Sequence, residues 1–318
     1  MKKTVILNLA KLNYDHQIDL SPISALTTVT AYDSSSPEEI IERLQGQDIA
    51  ITKELPMGKD LIAQFPPSIR LICEAGTGFN NIDLDAAREK GITVCNVPGY
   101  STEGVAHLAI TFILNHSSSL SRQQIMLSRK NFVNFTEHLT VPHFEVNGKT
   151  LGVIGGGAIG REVMKVAVAL GMDILVYDPI PRDWGNPRIQ SASLEDLLRQ
   201  SDFVTLHCPL LPETRHLINK ERLSLMKPTA YLVNTSRGPL VKEADLIEAL
   251  QQGKIAGAAL DVHEVEPLSP DSPLFTLDNV VLTPHIGWQR LESRQRLFKL
   301  MAGNIEAFLK GSPINVVS

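Results

Sequence analysis

Three side chains stand out by type and by place. Arg237 follows the apolar run YLVNTS, Glu266 follows ALDVHEV, and His285 ends VVLTPH. A guanidinium offers a planar fork of N–H donors that grips a carboxylate and polarises a neighbouring carbonyl. An imidazole gives and takes a proton near neutral pH, and a carboxylate beside it favours the charged ring. Together these types suit reduction of a ketone next to a carboxylate: a cation holds the acid end, and an acid protonates the nascent alkoxide. His263 and Glu264 lie in the same DVHEVEP run and offer the same pair of types. Residue type alone does not choose between Glu264 and Glu266.

Such a reduction needs a hydride source. In TLGVIGGGAIGREV, Gly155, Gly157 and Gly160 spell G-x-G-x-x-G. The first glycine permits a tight turn, the second lets backbone approach a pyrophosphate, and the third lets helix and strand pack closely. The N–H groups of Ala158 and Ile159 then open a helix toward the phosphates. The motif follows an apolar strand and opens an apolar helix. Asp178 ends the next strand eighteen residues after Gly160, close to the ~20 expected for a ribose-binding acid. A carboxylate there accepts from the 2′-hydroxyl and repels a 2′-phosphate, so the expected cofactor is NAD, with NADP less favoured. Arg182, just beyond, softens that preference.

The elements that must carry these residues alternate between β and α. TVILNL, DIAIT, RLICEA and ITVCNV read as strands, with capped helices at SPEEIIERLQ and DLDAAREKG. MKKTVILNLA imitates a signal sequence faintly and reads better as the first strand. The rhythm breaks at PGYSTEG. From Ser101 to about Lys130 the pattern predicts one long helix, followed by an irregular aromatic-rich stretch. A second series then supplies TLGVIG, DILVYD, FVTLHC, AYLVNT, AGAALDV and VVLTPH, the six-strand inventory of a full Rossmann domain. The fold class is α/β, with two doubly wound parallel sheets. The expected division is a Rossmann NAD-binding domain, 99–286, inserted into a flavodoxin-like substrate domain, 1–98 and 287–318. That arrangement would set the residues of the first domain across a cleft from Arg237 and His285.

The runs NTSRGPLV, ALDVHEVEPL and TPHIGW, in this order, resemble the D-isomer-specific 2-hydroxyacid dehydrogenase family over essentially the whole chain. PGYSTEGVA and the closing PINVV resemble its glycerate dehydrogenase/hydroxypyruvate reductase branch. The resemblance implies Arg237 as substrate-binding arginine, Glu266 as carboxylate partner and His285 as acid/base. It implies that the backbone of Thr77 and Gly78, in EAGTGFNNID, holds the substrate carboxylate. Trp288, next to HIG, is expected either to help shape the pocket or to serve as a packing residue. Toward the cofactor it implies Asp261 at the nicotinamide carboxamide, with Thr235, Ser236, His285 and Gly287 beside it. His207, Cys208 and Pro209 would wall the adenosine, Thr214 lies on the following loop, and Thr102 stands near the phosphates. His107 departs from the family, which usually has Glu or Gln there. The implied substrates are small 2-keto and 2-hydroxy acids, hydroxypyruvate and glyoxylate first, and the implied assembly is a homodimer through the helix and loop of residues 101–147.

Composition bounds the alternatives. The 318 residues carry a formal net charge of −5 and are 43% hydrophobic. This is a globular balance without the basic excess of a nucleic-acid binder. No run reaches the ~20 apolar residues needed to cross a bilayer. Cys73, Cys95 and Cys208 form no metal-like cluster, and reduced thiols in a cytoplasmic protein are expected. Cys208 reads as a packing residue. Two non-enzymatic readings share the fold: an NAD-sensing co-repressor-like protein and a non-catalytic NAD-binding subunit.

Overall fold

Short runs of apolar and β-branched residues become strands whose two faces both meet helices. The computed structural model describes residues 1–318, which divide into two units: Met1–Ser101 with Trp288–Ser318, and Thr102–Gly287. The first holds β1 (Lys3–Ile6), β2 (Thr28–Ala31), β3 (Ile49–Thr52), β4 (Leu71–Glu74) and β5 (Thr93–Cys95). They run parallel in the order β2-β1-β3-β4-β5, the flavodoxin-like order. Alternation along the strands splits the core in two. Ile6, Ile51 and Cys73 face Leu297, Phe298 and Met301 of the C-terminal helix Leu291–Leu309. Val5, Ala50 and Ile72 face Ile40, Ile62 and Ala86. Ser36 and Glu39 close a capping box on the helix Pro37–Arg43, and Asp83 caps Leu84–Glu89, as their sequences predict.

The second unit holds β6 (Thr150–Ile154), β7 (Asp173–Tyr177), β8 (Ile189–Ser191), β9 (Phe203–Leu206), β10 (Tyr231–Asn234), β11 (Gly257–Leu260) and β12 (Val280–Leu282). All pair in parallel, in the order β12-β11-β10-β9-β6-β7-β8. The six expected strands are present, and β8 adds a seventh at the edge. β2 and β8 are not among the strands that the sequence pattern predicts. Each is short, largely exposed and paired on one side only, so neither carries the apolar pattern that marks a buried strand.

The single helix expected from Ser101 to Lys130 is two helices, Thr102–Ser118 and Leu120–Ser128. The break is Ser119, at φ +49°. Three consecutive serines end the first helix, and such side chains compete for backbone groups. Ser118 Oγ donates back to Leu114 O at 2.6 Å, Ser119 Oγ donates to Pro142 O at 2.5 Å, and Asn115 Oδ1 accepts from both N and Oγ of Ser121 at 2.9 and 2.8 Å. The first helix buries Ala106, Ala109, Phe112 and Ile113 in the core of its own unit. His107 is exposed on it.

His116, on that helix, is 6% exposed and stacks on Tyr231 with ring centroids 4.6 Å apart. Burial pushes its pKa down to about 4, and burial also lowers that of His207. Above pH 6.5 the histidines are neutral in both folded and unfolded chains. Below it the unfolded chain takes up protons that the fold refuses, so stability falls with pH until the folded value is reached. His116 alone accounts for about 3 kcal/mol lost between pH 6.5 and 4. Glu74, in the other unit, has the opposite sign. Burial raises it to about 7, so its protonation favours the fold as pH falls from that value. The second unit, followed by Trp184 fluorescence in a W288F chain, is therefore expected to melt at lower temperature at pH 5 than at pH 7. A flat melting temperature across that range refutes the assignment.

Candidate active site

Because every strand of the second sheet is parallel, the loops after β6, β9, β10, β11 and β12 gather at one edge, where such folds bind ligands. Gly155 follows β6 at φ +101°, and its N–H donates to Tyr177 O at 2.8 Å. A Cβ there would lie 2.6 Å from Cys208 N, so the turn is pressed against the end of β9. A Cβ on Gly160 would lie 2.1 Å from Gly155 O, which sets the helix Ala158–Ala169 directly on the turn. Gly157 precedes that helix in extended conformation with open space beside it, and no side chain caps the first-turn N–H groups. This is a cradle that any side chain at 155 or 160 would fill, and its uncapped amides suit a phosphate.

Asp178 Oδ2 accepts from Gly156 N at 2.6 Å, and its Oδ1 accepts from Ile180 N at 2.9 Å. The acid is thus held against the glycine turn. Trp184 lies over the same turn, its ring carbon 2.3 Å from where a Cβ on Gly156 would be, and its Nε1 donates to Ser191 Oγ at 2.9 Å. No local pattern marks Trp184, because only the β7–β8 connection brings it there. Ser236 Oγ donates to Cys208 O at 2.7 Å and links the ends of β9 and β10. Thr235 is buried with its hydroxyl unpartnered. His207 Nε2 and Thr205 Oγ1 are 2.9 Å apart, and Thr214 Oγ1 donates to Pro209 O at 2.8 Å. Burial pushes the Cys208 thiol up to about 11, which suits packing and not attack.

His285 Nδ1 and Glu266 Oε2 are 2.9 Å apart, and Glu266 Oε1 accepts from His263 N at 3.0 Å. The rival acid is engaged elsewhere: Glu264 Oε1 meets His216 Nε2 at 2.6 Å, and its Oε2 accepts from Glu243 N at 3.0 Å. His285 has φ +56°, a left-handed conformation that a non-glycine residue keeps only when its surroundings impose it. Here Asp261 imposes it. Asp261 O accepts from His285 N at 2.8 Å, while its carboxylate accepts from Thr283 Oγ1 at 2.5 Å, Ile286 N at 2.8 Å and Gly287 N at 2.9 Å. Asp261 is 1% exposed, so this clamp works inside the fold.

Arg237 stands at the end of β10, beside β11, whose end carries Asp261. Asn234 Nδ2 donates to Arg237 O at 2.9 Å, and Arg237 Nη1 donates to Ser236 O at 2.8 Å. Next to it, Gly238 is jammed against the loop that bears Glu266: a Cβ there would lie 1.7 Å from His263 O. Within NTSRGPLV nothing local requires glycine at this position. Only the packing of two loops distant in sequence supplies one.

In the first unit, the loop after β4 carries Thr77 and Gly78. Thr77 Oγ1 donates to Val97 O at 3.1 Å, and Asn96 Nδ2 donates to Thr77 O at 2.7 Å. Trp288, expected to shape a pocket or to pack, is 4% exposed and packs in the core with Leu297 and Phe298. Thr102 opens the first helix of the second unit. No group of three or more His, Cys, Asp and Glu is placed to hold a metal, and no helix is long and apolar enough to cross a membrane.

Residues 110–287 match the family described as D-isomer specific 2-hydroxyacid dehydrogenase, NAD binding domain. The hydroxypyruvate reductase of Blautia hydrogenotrophica is 39% identical over 326 aligned positions covering 99% of each chain. Among solved structures, D-lactate dehydrogenase from Aquifex aeolicus complexed with NAD and lactic acid is 30% identical, with a TM-score of 0.86 over 99% of this chain and 100% of that one. An acyclic imino acid reductase in complex with NADPH and D-Arg is 28% identical, with a TM-score of 0.87 over 100% of both chains. A glycine cradle alone marks only a nucleotide site. A likeness that runs from end to end, in sequence and in fold, says more: the chain belongs to the D-isomer-specific 2-hydroxyacid dehydrogenase family, oxidoreductases with a nicotinamide cofactor.

Proposed function

We propose that this protein reduces small 2-keto acids to D-2-hydroxy acids with NADH, and catalyses the reverse oxidation, with hydroxypyruvate and glyoxylate as first substrates. The observation that carries this reading is the His285–Glu266 pair, 2.9 Å apart, with His285 held in left-handed conformation. When bound, NADH supplies the hydride that reaches C2 of the keto acid. His285 gives the proton that the carbonyl oxygen takes up. Its Nδ1–H is directed at the Glu266 carboxylate, so proton exchange with substrate falls to Nε2. Arg237 grips the substrate carboxylate and polarises the ketone. The backbone of Thr77 and Gly78 is a substrate-binding element of the first unit.

The cofactor's pyrophosphate belongs on the Gly155–Gly160 turn and the amides of Ala158 and Ile159. Asp178 takes the ribose hydroxyls, His207, Cys208, Pro209 and Thr214 flank the adenosine end, and Thr102 the phosphates. Thr235, Ser236, Asp261 and Gly287 lie at the nicotinamide end. The buried, unpartnered hydroxyl of Thr235 is a donor that a bound group would satisfy. The Asp178 carboxylate repels a 2′-phosphate, and NADH should bind more tightly than NADPH. A homodimer through residues 101–147 is part of the same reading. Leu120, Phe132, Phe135 and Leu139 of that stretch are 57%, 52%, 72% and 45% exposed, apolar surface that a second copy would cover.

The test is NADH absorbance against a panel of 2-keto acids, repeated with NADPH. Turnover of hydroxypyruvate or glyoxylate, with a lower KM for NADH than for NADPH, is expected. NADH binding with no turnover on any member would turn the reading toward a non-catalytic NAD sensor. Preference for NADPH would remove the role given to Asp178.

A further inference from the structure

We infer that Lys53 is a positioning residue for substrate binding, and that its ammonium backs the Gly76–Gly78 turn so that the turn receives a carboxylate. The inference rests on the reading of the protein as a 2-keto acid reductase. Lys53 follows β3 and is 3% exposed, a rare state for lysine unless it is paired. Its peptide is pinned on both sides by one residue: Asn8 Nδ2 donates to Lys53 O at 2.6 Å, and Lys53 N donates to Asn8 Oδ1 at 3.0 Å. The side chain therefore starts from a fixed root.

Three groups then meet at Nζ. It donates to Glu54 Oε1 at 2.6 Å, lies 4.3 Å from the centroid of the Trp288 ring, and stands 3.1 Å from where a Cβ on Gly76 would be. Gly76 does not have the positive φ that favours glycine. Its missing side chain answers to space, and the space is taken by the ammonium. Trp288 adds an aromatic face to the acids that meet this ammonium, a favourable contact when desolvated. The surrounding acids, Glu54 and Glu74, keep the buried ammonium charged, and each is shared with other donors. Glu54 is shared with Lys11 Nζ at 2.8 Å. Glu74 accepts from Asn81 Nδ2 at 2.9 Å and from Glu54 N at 3.0 Å, and burial raises its pKa to about 7. A cation held behind a backbone turn in a poorly screened interior strengthens anion binding at that turn without touching the anion. It also gives Trp288, a core residue, a second contact beside the turn.

The test measures kcat and KM for glyoxylate, Kd for NADH, and Kd for oxalate in the presence of NADH. The chains are wild type, K53M, K53R and K53M/E54Q. K53M is expected to raise KM and the oxalate Kd about tenfold, the scale of one charge-assisted contact. kcat and NADH affinity should stay within twofold, and K53R should recover most of the loss. K53M/E54Q leaves no member of the Lys53–Glu54 pair charged and alone, and it is the variant to measure where K53M does not fold. A folded variant without a cation at 53 that binds oxalate like wild type overturns the inference, as does an equal loss of NADH affinity. A wild-type protein that neither turns over a keto acid nor binds oxalate instead removes the reductase reading beneath it.

Discussion

H285A is expected to lower kcat for keto-acid reduction by about two to four orders of magnitude, the range associated with a positioned general acid. NADH affinity should remain within a few-fold, because the glycine turn and Asp178 are built on β6 and β7 and do not depend on this side chain. The effect is large because the turn exists to present this imidazole. His285 keeps φ +56°, and four contacts to Asp261 hold the surrounding segment in place. Glu266 reaches the ring at 2.9 Å while its other oxygen is tied to His263 N, so the ring is fixed at both its root and its Nδ1. Stopped-flow reduction and NADH titration on the same preparation separate the two quantities. An H285A protein that retains more than a tenth of wild-type kcat would exclude His285 as the acid.

G238A should cost about a hundredfold in kcat/KM although glycine carries no chemistry. Its Cβ would fall 1.7 Å from the backbone oxygen of His263, and backbone cannot step aside as the end of a flexible side chain can. The loop bearing Arg237 must then part from the loop bearing Glu266. A misplacement of roughly 1 Å is worth about that factor when two groups must act on one substrate. Overpacking adds roughly 1–3 kcal/mol of destabilisation, so the measurement is made below the melting transition. G303A, in a helix with nothing within 4 Å of the added methyl, is the control and should leave kinetics unchanged. Kinetics of G238A equal to those of G303A would show that the separation of the two loops does not matter.

Much of the fold can be read from local pattern. Runs such as AYLVNT and RLICEA are apolar on both faces, and only a parallel sheet covered on both sides buries them. Ser36 and Asp83 mark helix starts because their side chains satisfy amides in the first turn. The edge strands β2 and β8 escape this reading because exposed residues paired on one side need no apolar pattern. The helix break at Ser119 escapes it because apolar periodicity runs through the site, while the serine and asparagine side chains that stop the helix find partners as far away as Pro142. The places of Trp184 and Lys53 are not legible in the sequence for the same kind of reason. Each acquires its place from a neighbour distant in sequence, Gly156 for one and Trp288 for the other.

The glycine spacing, the acid after the next strand and the residue types Arg, Glu and His are properties of the sequence alone, because each is a local pattern with a local physical cause. That is enough to identify a nucleotide cradle and the chemistry that accompanies it. What the tertiary structure decided is which groups meet. It turned Glu264 toward His216 and Glu266 toward His285, placed Asp261 under the turn, and seated Gly238 against His263. Hydrogen bonds and steric contacts act over a few ångströms, and residues nineteen or more apart in sequence come within that range only after the sheet has set their strands side by side.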